Sequence, residues 1–170
     1  PELGGNARAG NGQYFVIEAD EYDRAFLGLH PHIAVVTSIE MDHPDIYRDV
    51  DDVAKAFREF MGLVAHNGLV VGWGDSQIIA RELKEIRETK VVLYGLDSMN
   101  DWRVSDIRTN ALGGSDFVVH HNHLPITTCQ LRIPGMHNVL NALAAIAVAD
   151  NVGVDGQRVR KTLENFHGAE

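Results

Sequence analysis

Cysteine occurs once in these 170 residues, at Cys129. No disulfide can close within the chain, and a reducing compartment suits it. Long apolar runs are absent: nothing approaches the roughly 20 residues that a membrane-spanning helix requires. Positive charge is scarce, with 15 Lys and Arg against 24 Asp and Glu and a net charge of −9. That argues against nucleic acid, whose phosphates demand a basic face. It leaves nucleotides open, because a bound divalent cation reverses the local sign. The start, Pro1-Glu-Leu-Gly-Gly5, has neither the basic nor the apolar stretch of a signal peptide. It also lacks an initiator methionine, so the chain reads as a piece of something longer. What remains is ordinary for a soluble domain: 45% apolar and 23% charged residues, enough for one domain with a substantial core over 1–170.

Residues 1–12, with Gly, Asn and Arg among small residues, read as loop. Tyr14–Glu18 and Ile33–Ile39 read as buried strands. Asp49 or Asp51 is placed to cap a helix running to about Val64, with Val53, Ala54, Phe57, Phe60 and Met61 recurring at helical spacing. Gly68–Gly72 reads as a third strand, Asp75 as the cap of a helix to about Arg87, and Lys90–Tyr94 as a fourth strand. Strands alternating with helices through short connections predict an α/β fold, a doubly wound and mostly parallel sheet. The texture changes at Asp101: Trp102–Thr109, Asp116–His121 and Leu124–Ile133, separated by Gly113-Gly114 and Asn122, predict a small antiparallel meander. Helices are expected again from Asn138 to about Asn151 and from Asp155 onward. No internal repeat or low-complexity segment is present.

Two of the expected strands deliver chemistry at their C-terminal ends, where an open α/β sheet builds its sites. Tyr14-Phe-Val-Ile-Glu18 is followed by Asp20 and Glu21. Glu18 is placed to direct a carboxylate into the crevice, and Mg²⁺ takes one or two carboxylates together with waters and phosphate oxygens; a solvated acidic turn is the plainer alternative. After Ile33–Ile39 come Asp42, His43 and Asp45. Here the imidazole suits a metal or a phosphate and the aspartates suit its orientation, or the histidine merely caps a polar loop. Glu18 on one strand end and His43 on the other together favour a shared site. His137 and Asn141 lie four apart on one helix face, and with Asn138 they offer the hydrogen-bonding edges that a purine requires; Asn138 also suits a helix cap. Asn6 and Arg8 in the opening loop are within reach of an anionic ligand. His120, His121 and His123 do not make a metal cluster, because adjacent strand residues face opposite ways; they read as a hairpin tip. Cys129 reads as packing. A glycine-rich Gly-x-x-x-x-Gly-Lys-Ser/Thr phosphate loop, expected of an ATP-handling domain, is missing.

Glu18-Ala-Asp-Glu-Tyr-Asp23, Ala34-Val-Val-Thr-Ser-Ile-Glu-Met-Asp-His-Pro-Asp45, Tyr94-Gly95 and Pro134-Gly-Met-His-Asn-Val-Leu-Asn-Ala-Leu-Ala-Ala145 resemble the central domain of the Mur ligases, over essentially the whole chain. Within that family the chain is most similar to the branch that adds L-alanine to UDP-N-acetylmuramate. The resemblance implies a cytoplasmic, ATP- and Mg²⁺-dependent ligase of peptidoglycan precursor synthesis, with no nucleic-acid or membrane partner. In it, ATP phosphorylates the sugar's carboxylate and the amine displaces phosphate. It implies that Glu18 and His43 hold metal, that His137, Asn138 and Asn141 border the adenine, and that Asn6 and Arg8 approach the UDP-sugar. The phosphate loop is then expected upstream of Pro1 and an arginine beyond Glu170, within or beside flanking N- and C-terminal domains, so the piece alone would not turn over. The readings left beside it are the family branch that attaches an L-alanyl tripeptide to the same sugar, a non-catalytic nucleotide-binding module, and a metal-dependent hydrolase using Glu18 and His43.

Overall fold

The computed structural model describes residues 7–168. Six strands form one sheet in sequential order: β1 (Ile33–Val36), β2 (Leu69–Trp73), β3 (Lys90–Gly95), β4 (Trp102–Thr109), β5 (Ser115–His121) and β6 (Leu124–Leu131). The pairs β1·β2, β2·β3 and β3·β4 are parallel, while β4·β5 and β5·β6 are antiparallel. The mixed α/β architecture expected from the alternation is therefore present, and the meander continues the same sheet.

Helices α1 (Val50–Gly62) and α2 (Gln77–Leu83) supply the β1–β2 and β2–β3 crossovers; α3 (Met136–Asn151) and α4 (Gly156–Glu164) follow the meander. Strand alternation divides the core into two layers. Val70, Ala34 and Val36 pack with Val53, Phe60 and Met61 of α1 and Ile79 and Leu83 of α2. Leu69, Val71 and Tyr94 pack with Val139, Leu143 and Ala147 of α3. Gly72 lets α2 close onto β2: a Cβ there would stand 2.5 Å from Leu83 Cδ1. The start of α1 follows its sequence signal, with Asp49 accepting from the Asp52 N–H at 2.8 Å. Asp155 caps α4 in the same way.

Three expectations are corrected. Tyr14–Glu18 is not a strand; it forms no regular secondary structure and has no ladder partner among the described residues, and Tyr14, Phe15, Val16 and Ile17 are 49%, 85%, 92% and 55% exposed. Its composition favours a strand, but a strand exists only where a neighbour accepts its hydrogen bonds. The second helix is capped by Ser76, not Asp75, and runs from Gln77 to Leu83 rather than to about Arg87. Tyr22–Gly28 forms a 3-10 segment that periodicity did not announce, with Asp23 and Arg24 both at positive φ (49° and 56°). Among the described residues no helix is long and apolar enough to cross a membrane.

Candidate functional site

The C-terminal end of β1 runs directly into Thr37–Asp45, and the irregular segment 13–19 lines the same groove as β1. Between them runs a groove of about 940 Å³. Its floor is β1 itself, Ile33 to Val36; Phe26, Val53, Phe57 and Phe60 line one side, and Val148 of α3 and Val152 at its C-cap the other. Glu18, Glu21, Glu40 and Asp42 line it as well, with no lysine or arginine among the described residues. The groove is thus apolar along β1 and carries carboxylates with no compensating cation but histidine. Such a mouth attracts a metal cation and repels a bare polyphosphate.

At the rim, His43 Nε2 lies 3.4 Å from Glu21 Oε1 and its Nδ1 lies 3.8 Å from Asp42 Oδ1. His43 sits at φ 52°, an uncommon conformation for a non-glycine residue. It is held there by its own N–H, which donates to Asp42 Oδ1 at 2.7 Å. Tyr22 packs edge-on against the imidazole at 5.1 Å and donates its hydroxyl to Asp45 Oδ2 at 3.3 Å. The charge of Asp45 holds the Tyr22 phenol above its usual range. One ligand atom each from Glu21, Asp42 and His43 fall within 4.8 Å of one another. Opposed ligands of an octahedral Mg²⁺ stand about 4.2 Å apart, twice the metal–oxygen distance. Two carboxylates and an imidazole gathered within that bound are a donor set that a divalent cation can use, directly or through its waters.

Behind the rim lies a second layer. Tyr47 is 1% exposed. Its hydroxyl donates to the Glu21 carbonyl at 2.6 Å, and its backbone N–H donates to the His43 carbonyl at 3.0 Å. Burial raises its phenol pKa, against the lowering pull of Arg24. The Arg24 guanidinium stands 5.3 Å over the Tyr47 ring and donates to Asp52 Oδ1 at 3.0 Å. The Arg48 N–H, bonded to the other Asp52 oxygen, and then Arg24 hold the Asp52 carboxyl below its usual range, against the opposing effect of burial.

The sequence-level candidates separate into three groups. His43 lies at the cluster, and Glu18 lines the groove beside it together with Asp42. The carboxylate paired with the imidazole is, however, Glu21. Glu21 stood in the acidic run but was not singled out, because the contact that selects it comes from a loop 22 positions further on. His137, Asn138 and Asn141 lie on the first turns of α3 and are not part of the groove lining, which α3 reaches through Val148 and its C-cap Val152. Asn138 donates to the Pro134 carbonyl at 2.6 Å and so ties down the turn before α3. His137 and Asn141 are exposed. Arg8 lies exposed in the opening segment, and Asn6 falls outside the described residues. His120 meets Arg103 Nη2 through Nδ1 (3.0 Å) and Ser105 Oγ through Nε2 (2.8 Å), while His121 stacks on Trp102 at 4.1 Å. Neighbours on one strand thus face opposite ways, and Asn122-His123 forms the hairpin turn.

Residues 1–149 match the family model of the Mur ligase middle domain. The chain is 41% identical, over 98% of its length, to the UDP-N-acetylmuramate–L-alanine ligase of Acetivibrio thermocellus, of which it covers 35%. It is 42% identical, over 99% of its length, to the ligase of the same name from Frankia alni, of which it covers 30%. A solved structure with TM-score 0.81 and 31% identity, matched over 97% of this chain and 50% of its own, is UDP-N-acetylmuramate:L-alanyl-γ-D-glutamyl-meso-diaminopimelate ligase from Neisseria meningitides. The chain therefore spans about a third of the length of these sequence relatives.

Proposed function

Because this chain belongs to the Mur ligase family, as its middle domain, we propose that it is the metal- and nucleotide-handling part of an ATP-dependent ligase that joins L-alanine to UDP-N-acetylmuramate. The observation that carries this reading is the acidic groove at the end of β1, with Glu21, Asp42 and His43 gathered at its rim. A ligase that activates a carboxylate with ATP must bring anions together, and fixed carboxylates alone oppose that. They become useful once a divalent cation stands between them and the phosphates. In this proposal His43, Glu21 and Asp42 hold Mg²⁺ on its inner or water-mediated shell, and Glu18 completes the acidic wall. The ion would supply charge neutralisation for phosphoryl transfer. The chain's own residues orient it, and the apolar flank of the groove excludes water. His137, Asn138 and Asn141 are proposed to border the adenine, and Asn6 and Arg8 to approach the UDP-sugar.

The groove also bears on domain organisation. The apolar run Tyr14–Ile17 is exposed, β1 pairs with β2 on one side only, and helices wall the space between them. This is the shape of a vacant strand position in a parallel sheet. We place there a strand of the parent protein that leads into the phosphate-binding loop, so that chain 1–170 is one domain with a segment outstanding. The missing lysine would then arrive beside the rim carboxylates.

The alanine-adding branch is supported by the sequence relatives of that name, at 41% and 42% identity, whereas the tripeptide-adding branch is supported by the solved structure at 31% identity, so the acceptor is decided by assay. The test is turnover by the full-length parent with ATP, Mg²⁺ and UDP-N-acetylmuramate. L-Alanine is the expected acceptor, and His43→Ala is expected to cut turnover by at least about 100-fold, at the upper end of what metal-site residues control, with an unchanged thermal midpoint. Unchanged turnover in His43→Ala, or preference for the tripeptide, overturns the corresponding part of the proposal.

A further inference from the structure

One buried side chain ties together the two loops that carry the rim. Glu21 and His43 come from separate segments, and neither loop is part of a helix or strand ladder that would fix their separation. Tyr47 spans them: its N–H ends on the His43 carbonyl at 3.0 Å and its hydroxyl ends on the Glu21 carbonyl at 2.6 Å. The Glu21 carbonyl also accepts the Arg24 N–H at 3.0 Å. Arg24 then returns across the Tyr47 ring to Asp52, which lies in the first turn of α1 and is itself bonded to the capping Asp49. The brace thus runs from a helix end to the rim, and Tyr47 itself forms part of the groove wall. Asp23, Arg24 and His43 all hold positive φ beside it. Non-glycine residues keep that conformation only where their surroundings impose it.

We infer that Tyr47 is a positioning residue: through its bonds to the two carbonyls it sets the Glu21–His43 spacing, and Arg24 and Asp52 hold its ring in place. The inference rests on the cation-binding reading of the rim. It goes further by assigning a role to a side chain that is not among the proposed cation ligands. Tyr47→Phe keeps the ring, its packing and the Arg24 contact and deletes only the bond to Glu21. Outer-layer partners of metal ligands typically control about 10- to 100-fold in affinity or activity. A single bond to a backbone carbonyl belongs at the lower end, about 10-fold.

The experiment uses the full-length parent, with Mn²⁺ as a spectroscopic probe whose binding is read by electron paramagnetic resonance apart from activity. Tyr47→Phe is expected to raise the Mn²⁺ dissociation constant about 10-fold and to lower kcat by a similar factor, while KM for the amino acid and the thermal midpoint change little. If Tyr47 acts through Glu21, adding Tyr47→Phe to Glu21→Gln weakens Mn²⁺ by less than about 2-fold further, because the spacing it guards no longer matters. Arg24→Met, which leaves the hydroxyl in place, is expected to show a smaller loss of the same kind, and it stands in if Tyr47→Phe does not fold. Unchanged Mn²⁺ binding in Tyr47→Phe, or full additivity with Glu21→Gln, overturns the inference. His43→Ala and Glu21→Gln separate the two levels. If both weaken Mn²⁺ and Tyr47→Phe does not, the positioning role alone fails; if neither weakens it, the reading of the rim fails.

Discussion

Asp75 offers a measurement that separates two physical roles for one carboxylate. From sequence it looks like the cap of the helix after β2, and asparagine replaces aspartate at such a position almost without cost. In the structure Ser76 is the cap, and Asp75 is a four-way acceptor instead. Its Oδ1 receives the Asp97 N–H at 3.2 Å and Asn100 Nδ2 at 2.7 Å; its Oδ2 receives Trp73 Nε1 at 3.3 Å and the Leu96 N–H at 2.6 Å. Both oxygens are saturated, so in Asp75→Asn the amide group faces two donors whichever way it is turned. At a net value of about 1 kcal/mol per hydrogen bond, two lost bonds amount to about 2 kcal/mol. For a domain of this size that lowers the thermal midpoint by roughly 4–8 °C. Thermal unfolding followed by circular dichroism reads the shift, and Trp73 emission reports the loss of its indole bond. A midpoint within about 1 °C of the parent would refute the four-acceptor account and return Asp75 to a cap-like role.

Two further outcomes follow from perturbed ionisations. The Asp52 carboxyl is held below its usual value by the Arg48 N–H and then by Arg24. The stability it contributes is therefore complete above the unfolded carboxylate pKa of about 4 and is lost as pH falls through the lower folded value. Asp52→Asn is expected to be less stable at pH 7 and to flatten the acid limb of the stability curve below about pH 4; an acid limb of unchanged steepness contradicts the assignment. Cys129 is 2% exposed, and burial pushes its thiol up to about 11. Thiolate-specific reagents at pH 8 should label it only as the protein unfolds, and rapid labelling of folded protein would contradict the burial.

How far the sequence carries can be seen from particular residues. Val53, Ala54, Phe60 and Met61 predicted α1, and all four are buried, because a helix's hydrophobic period and its cap are local properties. The meander was legible for the same reason: glycine and asparagine mark its turns, and alternation marks its strands. Tyr14–Ile17 misled because strand propensity is necessary but not sufficient; the ladder partner is a non-local condition. The 3-10 segment at Tyr22–Gly28 was invisible because Asp23 and Arg24 adopt positive φ, and Arg24 makes its contacts with Tyr47 and Asp52, far along the chain. The pairing of Glu21 with His43 was hidden in the same way. Glu18, Asp20 and Glu21 are equivalent as text, and what distinguishes Glu21 is non-local: the imidazole of His43 at its carboxylate and the Tyr47 hydroxyl at its carbonyl.

Backbone strain gives an independent argument for the location of the site. Among the described residues, six non-glycine residues have positive φ: Asp23, Arg24, His43, Asp106, Asn122 and His123. Asn122 and His123 form the two-residue link between β5 and β6, where a type I′ hairpin turn requires positive φ at both positions. Asp106 falls where the β4–β5 register slips between Ser105 and Arg108, and bulges commonly carry such a residue. Sheet geometry accounts for those three. Asp23, Arg24 and His43 have no such excuse in any ladder or hairpin, and they converge on one Tyr47 brace at the mouth of one groove. Each costs of order 1–3 kcal/mol, a cost a merely solvated loop would shed by relaxing. Their clustering at the acidic rim is what a preorganised ligand site requires. It supports the proposed cation site at the end of β1 on grounds other than sequence similarity.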